Sequence, residues 1–175
     1  MATLGIPNLC GANPDLENVL DKSGLRLGYD YRTQVSIKVE TNRKVPDVIV
    51  YLPENKHLII DSKVSLNAYS RYVNSDSELD KKRALRDHID AMKARIKELG
   101  DKSYYDTPEL NSPEMVFMFV PMESAFIAAI QADEMIFQIA LDNKVLVATP
   151  TTLTTNLKIV KQLWRFENQS RNSAE

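Results

Sequence analysis

The stretch that most limits the fold lies between residues 45 and 64. Val45–Leu52 and His57–Val64 are apolar on both faces, and Pro53-Glu54-Asn55-Lys56 joins them. A strand that is apolar on both sides must be covered on both sides, so this reads as a central hairpin with layers above and below. The preceding segment differs. Tyr31, Thr33, Val35, Ile37 and Val39 alternate with Arg32, Gln34, Ser36, Lys38 and Glu40, the pattern of a half-buried strand near a sheet edge. Thr41–Lys44 reads as a turn between them.

Helical signals flank these strands. Asn13-Pro14-Asp15 combines a capping Asn, Pro at the first helical position and an acid in the first turn. Leu16, Val19 and Leu20 give that helix an apolar face, and Gly24 stops it. After Ser65 the period becomes helical, with Ser75 or Asp76 capping a long helix to about Leu99 and Gly100. Its stripe of Leu85, Ile89, Met92, Ile96 and Leu99 steps by 4, 3, 4 and 3. Asp101–Pro113 reads as a polar loop and Met115–Val120 as a buried strand. Short helices follow over Ser124–Ala132 and Glu134–Leu141, then a strand over Lys144–Ala148. A last helix opens at Pro150-Thr151-Thr152 and carries Leu153, Leu157, Val160 and Trp164.

The expected fold class is α/β, a mixed β-sheet flanked by helices. Three regions are expected: residues 1–12 as a leader or disordered arm, 13–150 as the α/β domain, and 151–175 as a C-terminal helix truncated within the element. The initial meander argues against a doubly wound nucleotide-binding fold. So do the five scattered glycines, which form neither GxGxxG nor GxxxxGK.

Composition narrows the chemistry. The single Cys10 excludes an intramolecular disulfide and fits the cytoplasm, and it carries no chemistry of its own. His57 and His88 with one cysteine are too few for a zinc centre of nitrogen and sulfur ligands. Any metal must sit on carboxylates, which favours Mg2+ or Mn2+. A net charge of −2 makes the whole chain no electrostatic magnet for nucleic acid, and the apolar runs are too short to span a bilayer.

One constellation can do chemistry. Pro46-Asp47 begins one strand of the central hairpin and Asp61-Ser62-Lys63 ends the other, so the hairpin gathers two carboxylates and an amine at one edge. Register decides whether they share a face. Asp47 and Asp61 do so only if paired residue numbers sum to an even value such as 108 or 110, which needs a loop of odd length or a bulge. A two-residue turn would put Asp61 on the opposite face. Two carboxylates about 5 Å apart at an effective dielectric near 20 repel by roughly 3 kcal/mol. A shared proton, Lys63 or a divalent cation could offset that. With a cation, the chemistry would be phosphodiester hydrolysis, with Asp47 and Asp61 on the metal and Lys63 serving the attacking water. The competing reading is a structural salt-bridge cluster, since acid-x-Lys also occurs at Glu54–Lys56, Asp80–Lys82 and Asp142–Lys144.

Other side chains have two readings each. Lys82, Arg86, Lys93 and Lys97 fall within about 60° of one another on the long helix. They form either a DNA-facing stripe or a solvated flank. His88 is a general base or phosphate contact, or else a polar residue near the core edge. Gln34 and Glu123 are candidates to support the metal ligands from behind, or respectively an exposed strand residue and a charge at a helix start. Trp164 packs on the core or seeds a partner interface.

The arrangement Asp47…Asp61-x-Lys63 after an N-terminal helix resembles the PD-(D/E)xK nuclease superfamily. Most of the chain, about residues 16–173, resembles the RmuC family of DNA recombination proteins. The matching stretches include Ser23-Gly24-Leu25 to Gln34, Pro46-Asp47-Val48-Ile49-Val50 and Ile60-Asp61-Ser62-Lys63. Phe119-Val120-Pro121-Met122-Glu123, Pro150-Thr151-Thr152-Leu153, and Leu163-Trp164-Arg165-Phe166-Glu167 with Gln169-Ser170 match as well. This resemblance implies a restriction-endonuclease-like three-layer core. It also implies a metal-dependent DNA endonuclease linked to recombination, or a non-catalytic DNA-binding or scaffold domain that keeps the fold. DNA is the implied partner, with no membrane contact from this fragment and homo-oligomerisation through coiled-coil regions absent from this chain. The family carries Trp-Gly-Glu at the start of its first helix. Gly11-Ala12-Asn13 stands there instead, leaving Glu17, one turn later, as the candidate third metal acid.

Overall fold

The structure is a computed structural model that describes residues 13–38, 43–102, 104 and 115–172. Residues 1–12, with Cys10, lie outside the described residues, as does the side chain of Trp164.

Helix α1 (Pro14–Lys22) starts as its sequence dictates: the Asn13 side chain accepts from the Asp15 N–H at 3.0 Å. Gly24, at φ 79°, turns the chain out while the Leu25 N–H returns to the Leu20 carbonyl. Strand β1 (Tyr31–Thr33) follows, far shorter than the alternation suggests. Gln34 adopts the left-handed backbone region at φ 52° and ends it. Within the rest of the alternating stretch Ile37–Lys38 forms β2, which pairs antiparallel with β3 (Arg43–Lys44) in a separate two-stranded sheet, so the expected strand is divided and the end of the expected turn Thr41–Lys44 is itself strand.

The central hairpin is β4 (Val48–Leu52) and β5 (Lys56–Asp61). After it come α2 (Asn67–Asn74), α3 (Glu78–Lys102), β6 (Val116–Phe119), α4 (Glu123–Ala132), α5 (Met135–Asp142), β7 (Val145–Ala148) and α6 (Pro150–Asn172). The five-stranded sheet has the order β1-β4-β5-β6-β7. β1, β4 and β5 are antiparallel neighbours, whereas β5, β6 and β7 run parallel. The edge position of β1 and the three-strand meander agree with the sequence.

Two apolar clusters cover the two faces. Ile49 and Ile59 pack with Met92, Ile96 and Leu99 of α3, Ala125 and Ala129 of α4, and Ile136 and Ala140 of α5. On the other face Val48, Val50, Leu58 and Ile60 pack with Leu16, Val19 and Leu20 of α1 and Leu153 and Leu157 of α6. The domain is therefore an α/β sandwich of three layers, and the start of α6 is part of its core. Helix α3 continues past Gly100, whose missing side chain is required: a Cβ there would lie 2.9 Å from both the Cβ and the carbonyl oxygen of Asn143. Among the described residues no single helix is long and apolar enough to cross a membrane.

Candidate functional site

The hairpin loop is three residues long, Pro53–Asn55, and Asn55 takes the left-handed conformation at φ 56° that closes such a loop. The register that results pairs Val48 with Ile60 and Leu52 with Lys56, so paired numbers sum to 108. One step further along the same register sets Asp47 opposite Asp61. Both then point to the α3 side of the sheet, in line with the Ile49–Ile59 and Tyr51–His57 pairs. Both aspartates are fully buried, at 0% exposure.

Each carboxylate oxygen has donors. On Asp47, Oδ1 accepts from Gln34 Nε2 at 3.1 Å and faces Lys63 Nζ at 3.1 Å. Its Oδ2 accepts from the Ser62 N–H at 2.8 Å and the Ser62 hydroxyl at 3.0 Å. On Asp61, Oδ1 takes the Arg95 guanidinium and the Lys63 N–H, and Oδ2 lies 3.2 Å from Lys102 Nζ. Burial alone pushes the Asp61 carboxyl up. The charges of Lys102 and Arg95, with hydrogen bonds from Arg95 and the Lys63 N–H, outweigh it and hold the carboxyl below its ordinary value. Arg95 is pinned in turn by Glu98 at 2.6 Å. Tyr104 is buried beside the pair. Loss of solvent first, then the negative charges of Asp61 and Asp47, push its hydroxyl well above the usual phenol range.

Asp47, Asp61, Lys63 and Gln34 are thus brought together. The left-handed turn at Gln34 keeps its N–H on the Asp47 carbonyl at 3.0 Å and folds its side chain back onto the carboxylate. Other expected residues go elsewhere. Glu17 sits on α1, in the opposite layer, near the Tyr31 hydroxyl. Among the described residues no third Asp, Glu, His or Cys joins the pair. Glu123 accepts from the Thr151 N–H at 2.8 Å and so caps α6, and hydrogen bonds from Thr151 hold its carboxyl below the usual value. His88 is fully buried and ties α3 to α4 through Nε2 and the Ala125 carbonyl at 2.8 Å. Lys82, Arg86 and Lys97 are exposed, and Lys93 pairs with Asp133. Their stripe lies roughly 150° around the helix from the face that meets the sheet, so it does not border the aspartates.

Sequence reasoning missed Arg95 and Lys102. Both fall in phase with His88, Met92 and Leu99, at steps of 4, 3, 4 and 3, on the side of α3 that faces the sheet. A cation on a core-facing stripe opposite two aspartates is the signal that could have found them.

The chain matches the RmuC family over residues 13–175. It is 43% identical over 159 residues to the DNA recombination protein RmuC homolog of Yersinia pestis, covering 90% of this chain and 33% of that protein. Against the DNA recombination protein RmuC of Escherichia coli K12 the identity is 42% over 161 residues, covering 91% and 34%. The Pseudomonas aeruginosa homolog is 40% identical over 161 residues, covering 91% and 36%. The chain spans about a third of the length of the curated relatives it matches.

Proposed function

This chain belongs to the RmuC family, and from that premise we propose that it is a DNA-processing domain of a recombination-associated protein. Its reaction would be metal-dependent hydrolysis of DNA phosphodiesters in a restriction-endonuclease-like core, at the cluster of Asp47, Asp61 and Lys63. The observation that carries the reading is the 108 register, which turns two sequence-distant aspartates to one face with Lys63 Nζ 3.1 Å from Asp47. A buried charged cluster at the end of a sheet is a poor choice for stability alone. Apolar residues of similar volume commonly do as well or better.

The donor set suits a hard divalent ion. Mg2+ commonly takes one or two protein carboxylates and leaves its other positions to water and substrate phosphate. Asp47 and Asp61 are the residues that would hold Mg2+ or Mn2+. Such an ion supplies Lewis-acid charge to a phosphate oxygen and lowers the pKa of a bound water. The chain's own groups have separate tasks. Gln34 and Ser62 fix the rotamer of Asp47, and Arg95 fixes that of Asp61. Lys63, with its side chain 53% exposed, sits where it can meet incoming DNA. Its ammonium orients the attacking water and stabilises the negative charge that grows on the phosphoryl oxygens.

The test is cleavage of plasmid and branched DNA with Mg2+ or Mn2+. Lys63→Ala, at an exposed position, should lower cleavage at least 100-fold with an unchanged circular dichroism spectrum. Asp47→Asn should do the same. A second reading, a DNA-binding module that does not cut, is favoured by one observation: every oxygen of both carboxylates already has a donor. Wild-type chain that binds DNA yet cleaves none with either metal would establish that alternative and overturn hydrolysis.

A further inference from the structure

We infer that Lys102 is an exchangeable counter-ion, seated on Asp61 until a divalent cation takes its place. This deepens the metal reading above and rests on it.

Among the described residues the cluster is neutral. Asp47, Asp61 and Glu98 face Lys63, Arg95 and Lys102, three charges of each sign joined by ion pairs. Adding a doubly charged ion to a buried, balanced set leaves uncompensated charge in a medium that solvates it poorly. Release of one resident cation halves the excess, from two net positive charges to one, so the ion is best accommodated when one of the three swings away. The three candidates are not equivalent.

Arg95 cannot leave easily. Its side chain is 9% exposed, and it is held by both Asp61 and Glu98. Lys63, with its side chain 53% exposed, can swing away too, but Gln34 and Ser62 still occupy both oxygens of Asp47 when it does, so its departure frees neither. Lys102 is different. It is the last residue of α3, its side chain is 27% exposed, and its contact with Asp61 Oδ2 is a single one at 3.2 Å. It also has somewhere to go: Nζ already lies 5.9 Å from the centre of the Tyr104 ring, whose face attracts cations. Of the cations on Asp61, Lys102 is thus the one most readily released, and the Tyr104 hydroxyl remains beside the carboxylate as a hydrogen-bond partner. Lys102 lies in phase with the core-facing stripe of α3, so the same helix that seals the sheet also delivers the displaceable charge.

Mn2+ affinity of the full chain, followed by the electron paramagnetic resonance of free Mn2+ and without DNA, reads this directly. Removing one positive charge next to the ion should tighten binding, so Lys102→Met should bind Mn2+ about tenfold or more tightly than wild type. Lys102→Arg, which keeps the charge, should stay within about twofold of wild type, and Asp61→Asn should bind none. In the unaltered chain, Mg2+ titration should shift the Lys102 side-chain NMR resonance, a readout that no substitution can compromise. If wild-type binding needs Asp61 but Lys102→Met binds no tighter, or Lys102→Arg binds as tightly as Lys102→Met, the counter-ion inference fails while the metal reading stands. An unmoved Lys102 resonance at saturating Mg2+ has the same consequence. If no variant shows binding that depends on Asp61, the metal reading fails and takes this inference with it.

Discussion

Replacing Arg95 with methionine separates a buried ion pair from a merely nearby one. Asp61 is fully buried and the Arg95 side chain is 9% exposed, so water can replace neither partner. Removing one member of a buried pair commonly costs 3–5 kcal/mol, because the other charge stays buried without its counter-ion. Lys102 and the Lys63 N–H remain on Asp61, which points to the lower end, about 3 kcal/mol. For a chain of this size that is a fall in Tm of roughly 6–12 °C. Asp61→Asn should cost a similar amount, since it strips Arg95 and Lys102 of their shared partner. The double variant removes both charges together and should be less destabilised than the sum of the singles by about 2 kcal/mol. Urea unfolding of the four proteins at pH 7 gives these values. Acid titration adds an independent check. Because the Asp61 carboxyl is held below its ordinary value, its contribution is complete above about pH 4, the unfolded carboxyl value, and is lost as pH falls through the lower folded value. Without Arg95, one of the depressing charges is gone while burial still pushes the carboxyl up, so acid unfolding should begin at higher pH. Singles within 0.5 kcal/mol of wild type, strict additivity, or an unmoved acid midpoint would each refute the reasoning.

Two other substitutions test the frame around the site. Gly100→Ala gains up to about 1 kcal/mol of helix propensity, but its Cβ would meet the Asn143 carbonyl oxygen at 2.9 Å. The contact should win, lowering stability by about 1–3 kcal/mol in urea unfolding; a stabilised variant would mean that α3 shifts freely against the turn before β7. Glu123→Ala removes the acceptor of the Thr151 N–H and should cost about 1 kcal/mol as a lost helix cap. Mn2+ affinity at the proposed site should match that of the unaltered chain, and a changed one would tie Glu123 to that site.

What could be read in the sequence follows from the range of the interactions that decide it. Helix α1, with its Asn13 cap and Gly24 exit, and the strands β6 and β7 are set by neighbours a few residues apart, and they form close to where the pattern puts them. The break in β1 has no such local sign. Alternation continues through Gln34 to Val39, but the Gln34 amide and N–H are drawn to Asp47, a contact 13 residues distant in sequence that periodicity does not report. The same limit applies to α3. The stripe Leu85-Ile89-Met92-Ile96-Leu99 finds the apolar half of its buried face, with Met92, Ile96 and Leu99 fully or almost fully buried. The other half contains His88, Arg95 and Lys102, which a hydrophobic pattern passes over. Those residues face inward, His88 and Arg95 buried and Lys102 partly so, because their partners come from α4 and β5.

The placement of the aspartates depends on one residue of loop length. Pro53-Glu54-Asn55-Lys56 is compatible with turns of either parity, and the strands on each side are apolar on both faces, so hydrophobicity alone does not choose a register. Polarity chooses. In the odd register, a buried carboxylate would face the α1 layer, among Leu16, Leu20, Val48 and Ile60, with neither Arg95 nor Lys102 within reach. In the register that forms, both carboxylates face the helix that carries those cations, and Ser62 and Gln34 complete their hydrogen bonds. Leaving one buried carboxylate without partners costs several kcal/mol, more than a turn type can return. The charged cluster therefore selects the register, and the left-handed Asn55 is the conformation the loop adopts to permit it.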